Sequence, residues 1–388
     1  MAEIADAMIF LSSFILCAVL YLLLLGMKAG LTVHYTAADR AGNVDSLAPC
    51  SVTVAQPILS GDPGLSAMLE SNLLSLSGQY FLWLCDETDH DAIKVVEVLI
   101  EKHPVEKILL MLCPACPATS NPKVFKLALA ADAVTTPFFL VLDDDTHLPA
   151  DSAAALVHHA RSHDITTGLP RYRLADDLPS ALLSQFVNNN SALTYLSTLP
   201  FKPPLSINGM CYVIKRESLG VFREIMHHLT DDLALATHIR NNGGTIHQSS
   251  HPQIISTRVQ GLRHYVRLMH RWHLFALLLV KQQNGRDRAL IGLLHGWHPL
   301  LLWALLLVFL WKPSVLLLIM GAGFLLARII LLGWLQSRIF GKWLHQLLVS
   351  LLSELLQPLH LLHALVDRRI VWRSRRYYVH ASDHFESR

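Results

Sequence analysis

Charge is scarce in this chain. Asp, Glu, Lys and Arg make up 16% of its 388 residues, whereas 52% are hydrophobic. That balance excludes an ordinary soluble enzyme and implies a membrane protein. The scarcity is uneven. Residues 7–27, AMIFLSSFILCAVLYLLLLGM, carry no charge over 21 positions, enough for a helix to cross about 30 Å of hydrocarbon. A cleaved signal peptide fits less well, because Glu3 and Asp6 stand where such a peptide is basic, and the apolar run is too long. Residues 289–311 also lack Asp, Glu, Lys and Arg, and 313–335 contain only Arg328. With Lys312 alone between them, the two stretches predict a transmembrane hairpin over 289–335. Arg328 is costly there and is expected to snorkel or to face another helix.

Acidic residues become rare toward the C-terminus. From residue 263 onward 5 Asp and Glu stand against 16 Lys and Arg, leaving 25 against 16 before it, so the two parts carry +11 and −9. An acidic body followed by a basic, apolar third reads as a domain held on an anionic membrane face, with no nucleic-acid partner. Within 336–366, residues 343–366 could span, but they hold Glu354, Pro358 and three histidines and precede DRRIVWRSRR. A full crossing would put the basic tail, 367–388, opposite the acidic domain. A re-entrant or interfacial helix keeps both on the cytosolic face.

Six cysteines show no disulfide-framework spacing, which points to a reducing compartment. Cys113-Pro-Ala-Cys116 lacks the second pair or nearby histidines that a zinc site needs, and reads as a plain loop. Neither repeats nor low-complexity tracts occur.

After a polar linker over about 31–48, strand-like and helix-like segments alternate. SVTVAQPIL, YFLWLCD, KILLML and FFLVL read as strands, with helices over about 63–76, 90–103 and 121–133. That order predicts an α/β domain, 48–275, with a parallel half-sheet of nucleotide-binding type. The fourth strand runs into Asp143, Asp144 and Asp145. Like charges crowded beside a buried strand disfavour folding, so a counter-charge is expected from outside the sequence. At the carboxyl end of such a strand, oxygen ligands suit Mg²⁺ or Mn²⁺. Two phosphoryl-handling patterns compete. An Asp-x-Asp-x-Thr phosphatase motif would need threonine where His147 stands; an Asp-x-Asp pair holding a cation on a sugar nucleotide's diphosphate needs only the two carboxylates.

Three further features bear on that choice. CDETDHD, 85–91, ends an early strand in carboxylates able to meet a uracil N–H and ribose hydroxyls; Asp231 and Asp232 open a helix; and Arg271-Trp272 precedes the apolar region, a pair that could equally be a membrane anchor. In this order the set Asp, Asp-x-Asp, Asp-Asp, Arg-Trp resembles that of the ceramide glucosyltransferase family, including its bacterial hopanoid and lipid glycosyltransferase relatives. The likeness covers about 50–378 and includes GDPGLSAMLESNL, NPKV, GLP, NGMCYVIKRESL and WRSRRYYV.

The resemblance implies a GT-A nucleotide-diphospho-sugar transferase domain with one N-terminal and two to three C-terminal transmembrane or interfacial helices. It implies that Asp86 and Asp89 hold the nucleotide, that Asn121, Lys123 and Asp144 lie near the donor, that Asp143 and Asp145 hold Mg²⁺ or Mn²⁺, that Asp232 is the base, and that Arg271 and Trp272 complete the site. Two departures bear on donor or acceptor identity: Leu268 occupies the Gln/Arg slot before Arg271-Trp272, and Gln56 and Leu59 replace lysines of the family's Lys-Pro-Leu-Lys-Gly. The implied reaction is inverting transfer of a glucose or N-acetylglucosamine type of sugar from a UDP-sugar to a membrane lipid hydroxyl, ceramide or a hopanoid. A processive polysaccharide synthase and a catalytically silent membrane scaffold are the alternatives.

Overall fold

A computed structural model of the chain describes residues 2–372, 375–379 and 385–387. Helix α1 covers Ala2–Asp39, followed by β1 (Val52–Pro57), α2 (Leu65–Ser75), β2 (Tyr80–Asp86), α3 (His90–Lys102), β3 (Lys107–Cys113), α4 (Pro122–Ala130) and β4 (Phe138–Leu142). Then come β5 (Thr146–His147), α5 (Ala150–Ala160), β6 (Ile165–Tyr172), α6 (Leu178–Tyr195), β7 (Cys211–Lys215), α7 (Val221–Ile225), α8 (Asp231–Asn241) and β8 (Ile246–Ile255). The C-terminal part holds α9 (Leu262–Gln282), α10 (Gly285–Ile291), α11 (Trp297–Trp311), α12 (Val315–Phe340) and α13 (Leu347–Val366), and ends in β9 (Arg369–Trp372), β10 (Arg375–Val379) and β11 (Phe385–Ser387).

Contacts divide the chain into two compact units. One gathers Asp39–Arg173, Phe201–Arg258 and the C-terminal strands; the other gathers Met1–Ala38, Leu174–Pro200 and Val259–Arg368. Residues 174–200 and 259–275, within the stretch expected to be catalytic, thus cluster with the apolar helices.

The first unit is built on an eight-stranded mixed sheet of order β3-β2-β1-β4-β7-β6-β8-β5. Strands β3, β2, β1 and β4 are parallel, as the alternation of elements predicts. Every residue of β1 is buried. Its alternate side chains serve two cores, Ala55 joining Leu127, Val141 and Phe222 on one face, Val54 joining Leu69, Val96 and Leu156 on the other. Coverage of both faces explains strand sequences that read as continuous apolar runs. Because β2 and β4 lie on opposite sides of β1, the chain reverses its winding there, and the crevice at the carboxyl ends of β1 and β4 is where open α/β sheets bind ligands.

The second unit is helical. Among the described residues four helices are long and apolar enough to cross a membrane: Met8–Asp39, Gly285–Trp311, Val315–Phe340 and Leu347–Val366. Helix α1 is longer than the uncharged run predicts. Its extension through 28–39 contains no proline to stop it, and Thr36 Oγ1 returns a hydrogen bond to the carbonyl of Thr32. The expected polar linker therefore shrinks to the segment after Asp39. Of the basic tail expected at 367–388, Arg373, Ser374, 380–384 and Arg388 lie outside the described residues.

Arg328 does face another helix. Its Nη2 lies 2.6 Å from Glu354 Oε2 on α13, and Tyr21 of α1 joins them, donating to the carboxylate at 2.9 Å and accepting from Arg328 Nε at 2.8 Å. Removing one partner of a buried pair strands the other charge. Arg328→Leu should therefore lower stability by about 3–5 kcal/mol, with most of the loss recovered by adding Glu354→Leu. Thermal unfolding in detergent reads this, and a single variant as stable as the parent would show that the pair carries no such load.

Candidate active site

Three loops leave the carboxyl ends of β1, β2 and β4, and the backbone of Ile58–Ser60 ties them together. The amide of Leu59 donates to Asp144 Oδ2 at 2.8 Å, and that of Ser60 donates to Asp89 Oδ2 at 2.9 Å. Lys126, from α4, is 1% exposed and reaches Asp86 Oδ2 at 3.1 Å while donating to the carbonyl of Ile58, also at 3.1 Å. Asp86, Asp89 and Asp144 thus converge on one short loop. Burial works against the Asp89 charge, but hydrogen bonds from Ser60 and Ala92 together hold its carboxyl below the usual range. Asp89 also caps α3. The departure at Gln56 is accommodated inside the sheet, where its Oε1 accepts from the indole of the fully buried Trp83 at 2.9 Å.

A second group lies beside the first. Lys123 Nζ sits 2.6 Å from Asp143 Oδ1, 3.6 Å from Asp231 Oδ2 and 2.6 Å from the carbonyl of Gly209, to which it donates. The expectation that the aspartates after β4 lack a protein counter-charge therefore needs correction. It arose because Lys123 is 20 positions earlier in sequence, on a helix that only the fold carries to Asp143. Asn121, expected near the donor, is fully buried: its Oδ1 accepts from the amides of Lys123 and Val124, while Nδ2 donates to the carbonyls of His228 and Leu229. In this structure it caps α4 and holds the chain just ahead of α8.

Asp145 accepts from Thr257 Oγ1 at 2.5 Å and from Thr146 Oγ1 at 3.2 Å. Burial, and next the charge of Asp143, push its carboxyl up. Asp231 and Asp232 open α8 without a side-chain cap from Thr230. Burial, and then the Asp231 charge, push Asp232 up to about 7, whereas for Asp231 burial is the main cause of a rise that Lys123 opposes. Gly209 supplies the wall behind the pair. A methyl group built on it would come 3.3 Å from Asp232 Cβ, which accounts for glycine in the NGM stretch.

Asp143 and Asp231 thus flank one ammonium, with Asp232 beside Asp231 at the start of α8 and Asp145 two residues on from Asp143. Carboxylate oxygens of this kind are the donors that Mg²⁺ or Mn²⁺ takes. Lys126, Gly209 and the Ile58–Ser60 backbone are the site components that sequence reasoning missed.

Arg271 and Trp272 lie on α9, in the helical unit, where Trp272 packs at 6.1 Å from the ring of Phe186 and Leu268 is buried. An apolar neighbour at 268 is thus a packing residue of that helix.

The family model described as glycosyl transferase family 21 matches residues 14–384, nearly the whole chain. The chain belongs to glycosyl transferase family 21. No curated protein sequence matches it. Among solved structures this family 21 chain is similar to a mannosyltransferase from Pyrobaculum calidifontis in complex with GDP-Man and Mn²⁺, at TM-score 0.50 and 14% identity, covering 90% of this chain and 98% of that one. At that identity the likeness concerns the fold. The architecture is the expected α/β glycosyltransferase sheet with one N-terminal and three C-terminal apolar helices, and the protein is a glycosyltransferase.

Proposed function

We propose that this family 21 protein transfers a sugar, of the glucose or N-acetylglucosamine type, from a UDP-sugar to the hydroxyl of a membrane lipid such as ceramide, with inversion at the anomeric carbon. The observation that carries the reading is Asp232, a carboxylate beside the Asp143–Lys123–Asp231 cluster whose affinity for a proton is raised into the working range of a general base. The α/β unit holds the donor and the apolar helices bring the acceptor. A hydroxyl at headgroup depth meets a soluble nucleotide sugar only where such a domain rests on the bilayer. The basic C-terminal third, together with the acidic first part, favours the cytosolic face.

In this mechanism Asp86 and Asp89, fixed by Lys126 and by the Ser60 amide, hold the nucleoside. Asp144 is positioned by the Leu59 amide beside it. Asp143 and Asp145 would hold Mg²⁺ or Mn²⁺, which when bound supplies charge for the departing diphosphate. Lys123 compensates Asp143 and Asp231 and keeps the cluster from repelling the donor. Asp232 takes the proton of the lipid hydroxyl as its oxygen attacks the anomeric carbon and the bond to the diphosphate breaks. One displacement needs no carboxylate nucleophile. Arg271 and Trp272 are assigned to the product and acceptor side, as the resemblance implies. A hopanoid or another polycyclic alcohol is the alternative acceptor.

Chelation tests the donor half. Removing divalent cations should abolish transfer, and Asp145→Asn should weaken UDP-sugar binding by at least about tenfold, since a lost ligand costs no less than a lost supporting contact. A transfer assay reads the first and titration calorimetry with the UDP-sugar the second. Full turnover in chelator would remove the cation from the mechanism.

A further inference from the structure

Away from the acidic site, the α/β unit holds a second cluster of ligating side chains. Five of the chain's 22 histidines fall in two short stretches, His158, His159 and His163 at the end of α5, and His247 and His251 on β8. The last residue of α1, Asp39, points into them with a side chain that is 0% exposed. Its Oδ2 is occupied by the amide and hydroxyl of Ser250, each donating at 2.7 Å. Its Oδ1 faces two imidazoles, with His247 Nε2 at 2.8 Å and His159 Nε2 at 3.5 Å. His159 Nε2 is shielded from solvent and has no hydrogen-bond partner among the described residues.

We propose that Asp39, His159 and His247 form a binding site for a transition-metal dication of the zinc type. One ligand atom from each residue lies within 4.8 Å of the other two. With metal–nitrogen and metal–oxygen bonds of about 2.0–2.1 Å, neighbouring ligands at a tetrahedral ion sit about 3.3 Å apart. The two separations from Asp39 Oδ1, 2.8 and 3.5 Å, bracket that value. Two imidazoles and one carboxylate are a borderline donor set that suits zinc over magnesium or calcium. The fourth position falls to water or to His251, whose Nδ1 is 3.9 Å from Asp39 Oδ2. A cavity of about 550 Å³, bordered by Arg40, Asp151 and His251, gives solvent access on that side.

The shielded His159 Nε2, unpartnered among the described residues, is the atom that a bound ion would satisfy. Arg40 donates to Ser250, through Nε to the hydroxyl at 3.0 Å and Nη2 to the carbonyl at 2.7 Å. His159 and His247 are stacked, centroids 4.0 Å apart and planes 20° from parallel. Coordination by both requires one ring to turn out of that stack. A bound ion ties the residue that ends α1 to α5 and β8, adding to the link that Ser250 already makes.

The test uses the full-length protein in detergent, stripped with chelator, exposed to Zn²⁺ without nucleotide sugar and passed through gel filtration, with zinc counted by elemental analysis. The parent and Asp145→Asn should each retain one zinc per chain. His247→Ala and His159→Gln should retain it at least about tenfold more weakly. His159→Gln leaves the Asp39–His247–Ser250 contacts in place, so its melting temperature without zinc should stay near the parent's while the rise on adding zinc is lost. No stoichiometric zinc in the parent, loss of zinc in Asp145→Asn, or undiminished retention in His159→Gln would each overturn the assignment.

Discussion

Asp232→Asn should cut sugar transfer by a factor of about 10² to 10⁴, the usual worth of a positioned base, while UDP-sugar binding stays near normal. The amide keeps the shape of the carboxylate but cannot take the proton. The donor's hold rests on other residues, Asp86, Asp89, Asp143 and Asp145. Asp231→Asn should cost much less, because consecutive residues on a helix point about 100° apart and Asp231 turns toward Lys123, 3.6 Å away. It should also move the pH profile. A base works when unprotonated, and with Asp232 held up to about 7, kcat/KM should fall about tenfold per pH unit below that point. Deleting the Asp231 charge removes a repulsion that raises Asp232, so the acid limb should shift to lower pH. Should Asp231→Asn lose transfer while Asp232→Asn keeps it, the base assignment is off by one residue; activity in both would end the displacement mechanism built on α8.

Lys123→Met is the second large effect. Its ammonium is 9% exposed and compensates Asp143 at 2.6 Å, so removing it leaves two carboxylates facing each other without their cation. Loss of one partner from a buried pair costs about 3–5 kcal/mol. A divalent cation should restore part of that, because it binds where the charge has become uncompensated. Denaturant unfolding with and without Mn²⁺ should show a larger Mn²⁺-dependent gain in the variant than in the parent. Equal stability and an equal gain would mean that Lys123 is not the counter-charge of this cluster.

How far the sequence could be read follows from what each feature depends on. The parallel strands β1 to β4 were legible, since their apolar runs and the helices between them are local patterns. So was the acidic end of β4, where three carboxylates after a buried strand contradict every folding preference. Arg328 could be flagged as anomalous within an apolar span, but its partner Glu354 lies 26 positions away and only helix packing identifies it. The pairing of Lys123 with Asp143 was hidden for a similar reason, since 20 positions separate them and only the fold brings α4 there. The 58–60 loop left no trace in the sequence because it acts through backbone amides, which every residue carries. The longer reach of α1 escaped notice because its last turns carry Lys28, Thr32, His34 and Thr36, and an uncharged apolar run marks only the part before them. The mixed half of the sheet, β5 to β8, depends on pairings between distant segments, such as β6 with β8, that no local period announces.

The central claim is transfer to a membrane lipid with inversion. Its most direct measurement uses purified protein reconstituted in vesicles that contain ceramide or a polycyclic lipid alcohol, given an α-linked UDP-sugar with Mn²⁺. The product is extracted for mass spectrometry, and its anomeric configuration is read by NMR. The account predicts a lipid carrying one sugar in β linkage, formed by the parent protein and absent with Asp232→Asn. An α-linked product, a growing polysaccharide, or release of free sugar with the lipid untouched would contradict it.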